Sequence, residues 1–443
     1  MKDRSLACLL LSVFVAASTH ADWPQWMGKD RDGTLSGTGW AESIPAKGLK
    51  TQWKAPVHGG YSGPAVADGR VFVTDFVRES GEAFNDPGQR ANVVGMERVL
   101  CFDAASGKQL WKSEYPCTYS ISYPAGPRCT PTIDGDRVYT LGAEGDLLCL
   151  VANDGDVLWK LSFENDFDAP VPIWGHAAHP LIDGEQLICM VGGDSQSVVS
   201  FDKMTGKVLW KRPGVGDIGY CPPKVIDAGG VRQLVVWYPS GIQSLNPSNG
   251  EVYWSVPIEP QYGMSITMPQ KNGDRIYASS IGAKSVMLQL DEDSPSVKEL
   301  WRGELKTSVY CANSTPIFAD GVLFGADCQV GHLAAVDADS GERLWTSFQP
   351  TTGGQRRASH GTAFITRYRD KLFLFSEVGD FVIAAIDRKQ YREIGRFNVL
   401  EPTSECFGRS VVWSHPAYAN KRLFARNDKE LVCVSLDASE YSE

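Results

Sequence analysis

Short apolar runs separated by Asp, Gly, Asn or Ser cover the chain from about residue 49 onward. The clearest pair spans residues 99–112, VLCFDAASGKQLWK. One run ends in Asp103, a turn carries Gly107, and a second run ends in Trp111. β-rich residues on both sides, an Asp to bond the turn backbone and a Gly for positive φ predict two antiparallel strands joined tightly. The pattern returns with Asp202, Gly206 and Trp210, with Asn246, Gly250 and Trp254, and with Asp337, Gly341 and Trp345. Val151, Gly155 and Trp159 form a variant, Trp301 follows a longer turn, and Asp387 is followed by Gly395 near the Trp position. A spacing of this size belongs to propeller blades and not to shorter solenoid repeats.

Each unit reads as four strands, A to D. "Apolar run, Asp-Gly, apolar run" supplies the A–B hairpin, and the Gly/Trp pattern supplies C and D. The C strands fall at Cys101, Cys149, Val199, Gln243, Met287, Ala334, Ile383 and Cys433, one per unit. The last unit lacks a D strand, and the segment around Trp53 is a D strand without A, B or C. Together they complete one blade, which removes open sheet edges. The fold expected is therefore all-β: a single eight-bladed β-propeller of four-stranded antiparallel blades, closed by N- and C-terminal strands in one blade. Trp53, Trp111, Trp159, Trp210, Trp254, Trp301 and Trp345 hold one repeat position and are expected to dock neighbouring sheets.

The ends carry other signals. Lys2 and Arg4 precede an apolar run over residues 6–17 and a small-residue stretch ending at Ala21, so residues 1–21 read as a secretory signal peptide. Residues 22–47, rich in Gly, Asp and Trp, read as an irregular strap. Residues 48–437 form the propeller and 438–443 a tail. No later segment is a membrane span, and the expectation is an exported, periplasmic or extracellular monomer. A formal net charge of -10 argues against nucleic acid as a partner. Cys117 with Cys129, and Cys311 with Cys328, are possible pairs. Cys101, Cys149 and Cys433 read as small buried residues of the repeat.

In a propeller, the D–A and B–C connections share one face. Here the D–A loops are long and individual, and they collect the candidate ligand-binding residues. These are His58, Tyr61, Arg128, Trp174, His176, Tyr220, Tyr262, Tyr310, Asn313, Arg356, Arg357, His360, Arg409, Trp413 and His415. Convergent Arg beside flat rings suits a planar or anionic ligand. The competing expectation pairs these cations with the B–C loop acids Glu144, Asp146, Asp194, Asp327, Glu377 and Asp380. Residues 75–98 read as one long polar B–C loop: a lid, a docking loop or a simple solvated insertion. His176 and His179 lie three apart but precede Pro180, which suits a strand entry, so no metal is assigned. No nucleophile elbow, phosphate loop, zinc-protease or calcium-loop motif is present in the sequence, and no catalytic residue is identified.

The recurring Asp, Gly and Trp resemble the pyrroloquinoline-quinone (PQQ) repeat, over Trp53 to Asp437. That superfamily holds quinoprotein alcohol dehydrogenases and the outer-membrane assembly lipoprotein BamB. The opening WPQW and RDG also resemble exported PQQ-like propeller proteins of environmental bacteria. The resemblance implies a scaffold whose funnel captures a small anionic or sugar-like ligand, or a segment of an envelope protein. Its alternatives are a PQQ-dependent dehydrogenase and a BamB-like assembly factor. PQQ, a planar tricarboxylate, would suit Arg and aromatic rings. The chain nevertheless lacks the adjacent Cys pair and a recognisable acidic calcium triad of the well-known dehydrogenases. Cys8 lies at the start of the apolar run and not after it, so no lipoprotein cysteine is evident.

Overall fold

The computed structural model describes residues 22–354 and 357–441. The expected signal peptide and Arg356 lie outside the described residues. Eight four-stranded antiparallel sheets follow one another, with one added hairpin, Ser404–Cys406 paired with Arg409–Val411. Blades 1 to 7 occupy residues 65–121, 132–162, 181–211, 224–257, 270–302, 317–347 and 363–398. Blade 8 is assembled from both ends of the chain. Ala417–Ala419, Arg422–Arg426 and Glu430–Ser435 supply strands A to C, and Thr51–Pro56 supplies D, with Trp53 opposite Cys433. The A strand of blade 1 touches the A strands of blades 2 and 8, so the first and last blades are neighbours. The eight-bladed propeller expected from the repeat is the architecture observed.

The repeat motif has a local reason and a tertiary one. Locally, Asp103 Oδ1 accepts from the Ser106 N–H at 2.8 Å, and Gly107 turns the chain at φ 71°. The C–D ladder then shifts register: Cys101 faces Trp111, but Phe102 faces Gln109. This bulge re-aims the Trp towards the next blade. Trp111 Nε1 donates to Ala152 O in blade 2 at 3.1 Å, and its ring lies over Gly155. Trp53 makes the same contact on blade 1, donating to Ala104 O at 3.1 Å and covering Gly107. Trp159, Trp210, Trp301 and Trp345 donate to Lys203, Pro247, Ala338 and Asp387 carbonyls. Trp254 instead bonds Gln233 Oε1 of its own sheet. In blade 7, Gly395 replaces the Trp, and Ile44 of the N-terminal segment fills that space.

Two expectations change. Residues 75–98 are not one loop. Arg70–Gly81 and Ala91–Asp103 continue as a ladder, leaving only residues 82–90 irregular. The alternating burial of residues 91–97 explains this, since one side of the ladder packs on the core. The ten cysteines among the described residues are all buried free thiols, so neither possible pair is joined.

The N-terminal segment crosses the axis. Trp23 exchanges backbone hydrogen bonds with Val66 in the A strand of blade 1. Arg31, 2% exposed, donates to the carbonyls of His179, Pro180 and Pro223 at the entries to blades 3 and 4. Gly33 and Leu35 bond Arg367 of blade 7. Because the A strands are innermost, a segment bound at or just before four of them closes one end of the central channel. No helix among the described residues is long and apolar enough to cross a membrane.

Candidate functional site

Above that segment lies a cavity of about 780 Å³ on the axis. Trp26 forms its floor. The Trp26 ring lies 4.8 Å from His179 and 5.5 Å from His415, ring centre to ring centre. Every D–A connection contributes a wall residue, in chain order Tyr61, Arg128, Trp174, Tyr220, Tyr262, Asn313, His360 and Trp413. Pro87 and Gly88, from the 82–90 connection, roof one side. That roof is tied down at both ends: Trp174 Nε1 donates to Pro87 O at 3.1 Å, and Asn85 Nδ2 to Glu405 O at 2.6 Å.

Of the candidates read from the sequence, the structure brings nine to this cavity: Tyr61, Arg128, Trp174, Tyr220, Tyr262, Asn313, His360, Trp413 and His415. Five lie elsewhere. His58 is exposed and is used through its backbone, its N–H donating to Asp75 Oδ2 at 2.7 Å. His176 is buried edge-on against Phe163, behind the wall. Tyr310 is buried and donates to Glu304 O. Arg357 is exposed outside the cavity. Arg409 forms a two-pronged ion pair with buried Glu377, at 2.8 and 3.0 Å.

The expected convergence of arginines is thus absent among the described residues. Arg128 alone reaches the cavity, and its guanidinium is engaged. It donates to the carbonyls of Trp174 (2.8 Å), Ser122 (2.9 Å), Tyr123 (2.7 Å) and Gly126, and it lies over the Tyr61 ring at 5.3 Å. Arg409 is withdrawn because Glu377, buried in the sheet, requires a partner. The imidazoles are neutral. Burial holds His360 down to about 4 and His415 to about 3, and pushes His179 well below the usual histidine range. His179 Nδ1 faces Ala177 O at 3.0 Å, so that nitrogen carries the proton.

Two wall residues, Trp26 and Phe407, had no signal in the repeat, whereas Tyr123, His179 and Met264 lie on the D–A connections expected to line the funnel. Trp26 comes from the axial segment and Phe407 from the added hairpin loop, neither of which belongs to the repeat. Tyr123, Tyr262, His360 and Phe407 share a further property: each has positive φ, at 53°, 61°, 57° and 47°.

These residues do not match the charge of the quinone that the repeat resemblance raises. A tricarboxylate with calcium calls for free cations and a carboxylate cluster. The wall offers one engaged arginine and no Asp or Glu, and no group of three His, Cys, Asp or Glu among the described residues could hold a metal ion.

A family model described as outer membrane protein assembly factor BamB (PQQ_2) matches residues 95–219 and 239–442. Over 213 residues the chain is 27% identical to quinohemoprotein alcohol dehydrogenase ADH IIB of Pseudomonas putida, covering 42% of this chain and 29% of that protein. Over 245 residues it is 24% identical to polyvinylalcohol dehydrogenase of Sphingopyxis sp. strain 113P3, covering 52% and 34% respectively. The matched stretches therefore span about a third of the length of these relatives. The crystal structure of BamB from Moraxella catarrhalis superposes with a TM-score of 0.57 at 15% identity, over 87% of this chain and 97% of that one. Quinohemoprotein alcohol dehydrogenase from Comamonas testosteroni gives 0.59 at 11% identity, over 94% and 81%. At such identities the structural likeness shows the fold alone. With well over half of its residues matched by the family model, the chain belongs to the PQQ-repeat family described as outer membrane protein assembly factor BamB.

Proposed function

We propose that this protein is an exported ligand-binding propeller, with the axial cavity as its binding site. The observation that carries this reading is convergence: all eight D–A connections and the axial segment meet at one concave, ring-lined volume. A volume of about 780 Å³ lies within the range of small-molecule sites. The charge complement argues against reading the cavity as a calcium–quinone centre.

A thermal-shift screen of small molecules tests the proposal. Ligands present at a hundredfold excess over Kd stabilise by about 2.7 kcal/mol. Trp174→Ala with Tyr220→Ala should abolish the shift, because the two rings sit 5.3 Å apart in the wall. Shifts that survive this double variant would place the binding site elsewhere.

A second reading, docking of an envelope-protein segment at the cavity mouth, follows the family description. It is favoured by apolar side chains on connections of the same face: Phe84, Tyr262, Leu305 and Phe407 are 40%, 71%, 79% and 47% exposed. Co-purification of an envelope protein that is lost on Tyr262→Ser with Leu305→Ser would support it.

A further inference from the structure

The conformation of the wall says more than its composition. A left-handed backbone costs a bulky residue about 1–2 kcal/mol and is uncommon away from Gly, Asn, Asp and His. Only four aromatic or imidazole side chains among the described residues adopt it: Tyr123, Tyr262, His360 and Phe407. All four line this one cavity. They come from four different D–A connections, so no shared local motif explains them. Strain of this kind persists where the surroundings impose it, and it clusters at binding sites. Here it presets flat rings around a common space. His360 stacks on Phe407 at 5.2 Å with planes 2° apart, and Trp413 lies 6.2 Å from Tyr123 and 6.4 Å from His360.

Several polar groups of the wall are spent within the protein. Thr267 Oγ1 donates to Ser279 O at 2.5 Å, and Thr315 Oγ1 accepts the Met268 N–H at 3.3 Å. The Arg128 N–H groups face carbonyls, as described above. A ligand covered with hydroxyls would exchange water for few partners, which is unfavourable. An anion would find no uncommitted cation in the wall, where Arg128 is the single Arg or Lys. Trp26 Nε1, Tyr61 Oη, His179 Nε2 and Trp413 Nε1 lack a partner among the described residues but are buried within the wall, whereas His360 is held in place by a neighbour. His360 Nδ1 sits 2.9 Å from Asn313 Oδ1, an acceptor, so Nδ1 carries the proton and Nε2 is the acceptor of a neutral ring. Nε2 has no partner among the described residues.

From these observations we infer that the cavity takes a neutral, flat aromatic ligand bearing one hydrogen-bond donor, with rings stacked on the preset aromatic wall and the donor directed to His360 Nε2. This rests on the reading of the cavity as a binding site.

The test uses the full chain and four probes: 2-naphthol, 2-methoxynaphthalene, 2-naphthoate and cellobiose. Calorimetric titration should show 2-naphthol binding five- to tenfold more tightly than 2-methoxynaphthalene, the difference made by one hydrogen bond. Naphthoate should bind at least tenfold more weakly than naphthol, and cellobiose should give no heat. His360→Phe keeps a ring plane but removes the acceptor, so the preference for naphthol over 2-methoxynaphthalene should vanish. The wild-type comparison of naphthol with its methyl ether needs no variant, and equal affinities would overturn the assignment of His360. Tighter binding of naphthoate or of cellobiose would overturn the ligand class while leaving the cavity a binding site. Silence from all four probes would overturn both.

Discussion

Gly107→Ala separates the two jobs that the repeat glycine performs. At Gly107, φ is +71°, and an added Cβ would lie 2.5 Å from Cδ2 and Cε3 of Trp53. That Trp belongs to the N-terminal strand of blade 8, so the contact is the seam at which the ring closes. Gly69 provides a matched control: its φ is also +71°, and nothing lies within 4 Å of its added Cβ. Placing Ala in the left-handed region costs about 1–2 kcal/mol at either site. At Gly107 alone, the Trp53 ring must also move, and overpacking of this kind costs about 1–3 kcal/mol more. Urea unfolding followed by tryptophan fluorescence should therefore show Gly107→Ala destabilised by about 2–5 kcal/mol and Gly69→Ala by about 1–2 kcal/mol. The gap should shrink in a Trp53→Leu background, because the clashing atoms are gone. Equal losses at the two glycines would refute the claim that the motif is a blade-to-blade docking device.

Four further outcomes follow. Arg409→Ala should cost about 3–5 kcal/mol, because it leaves the carboxylate of Glu377, with a side chain 1% exposed, without its counter-ion and with only the Thr362 N–H beside it among the described residues. Arg357→Ala, at an exposed position, should stay within about 0.5 kcal/mol in the same denaturation assay. His176 is 3% exposed, and burial holds it at about 4. Its folded value lies below its unfolded value of about 6.5, so the unfolded chain binds the extra proton and stability falls as pH drops from about 6.5 towards 4. The loss from this group reaches about 3 kcal/mol, and His176→Leu should flatten that part of the melting-temperature profile. Finally, deleting residues 49–57 removes the D strand of blade 8 and should yield aggregated protein by size-exclusion chromatography, since an edge is left open.

The blade architecture was legible because it is written locally. Asp103, Gly107 and Trp111 each carry out a task defined within a few residues or against an identical neighbour, and the task recurs. Blade 8 was legible for the same reason: its two fragments are recognisable by what each lacks. The faces on which Trp174, Tyr220 and Asn313 emerge also followed from strand order. The chemistry of the cavity was not legible in this way. Arg409 and Arg128 look alike in sequence, yet one is held by Glu377 and the other by four carbonyls, and only packing assigns those partners.

The sequence by itself determined the repeat, the count of blades and the closure of the ring, because strand period, turn residues and Trp position are short-range properties. The tertiary structure decided that Trp26 closes the channel, that Arg128 is held by carbonyls and Arg409 is paired outside, and that strained rings line one cavity. Those outcomes depend on contacts between residues far apart in the chain, such as Tyr123 beside Trp413 and His360 on Phe407. Charge and ring orientation in a buried site are set by which neighbours complete each group, and the blade motif carries no record of those neighbours.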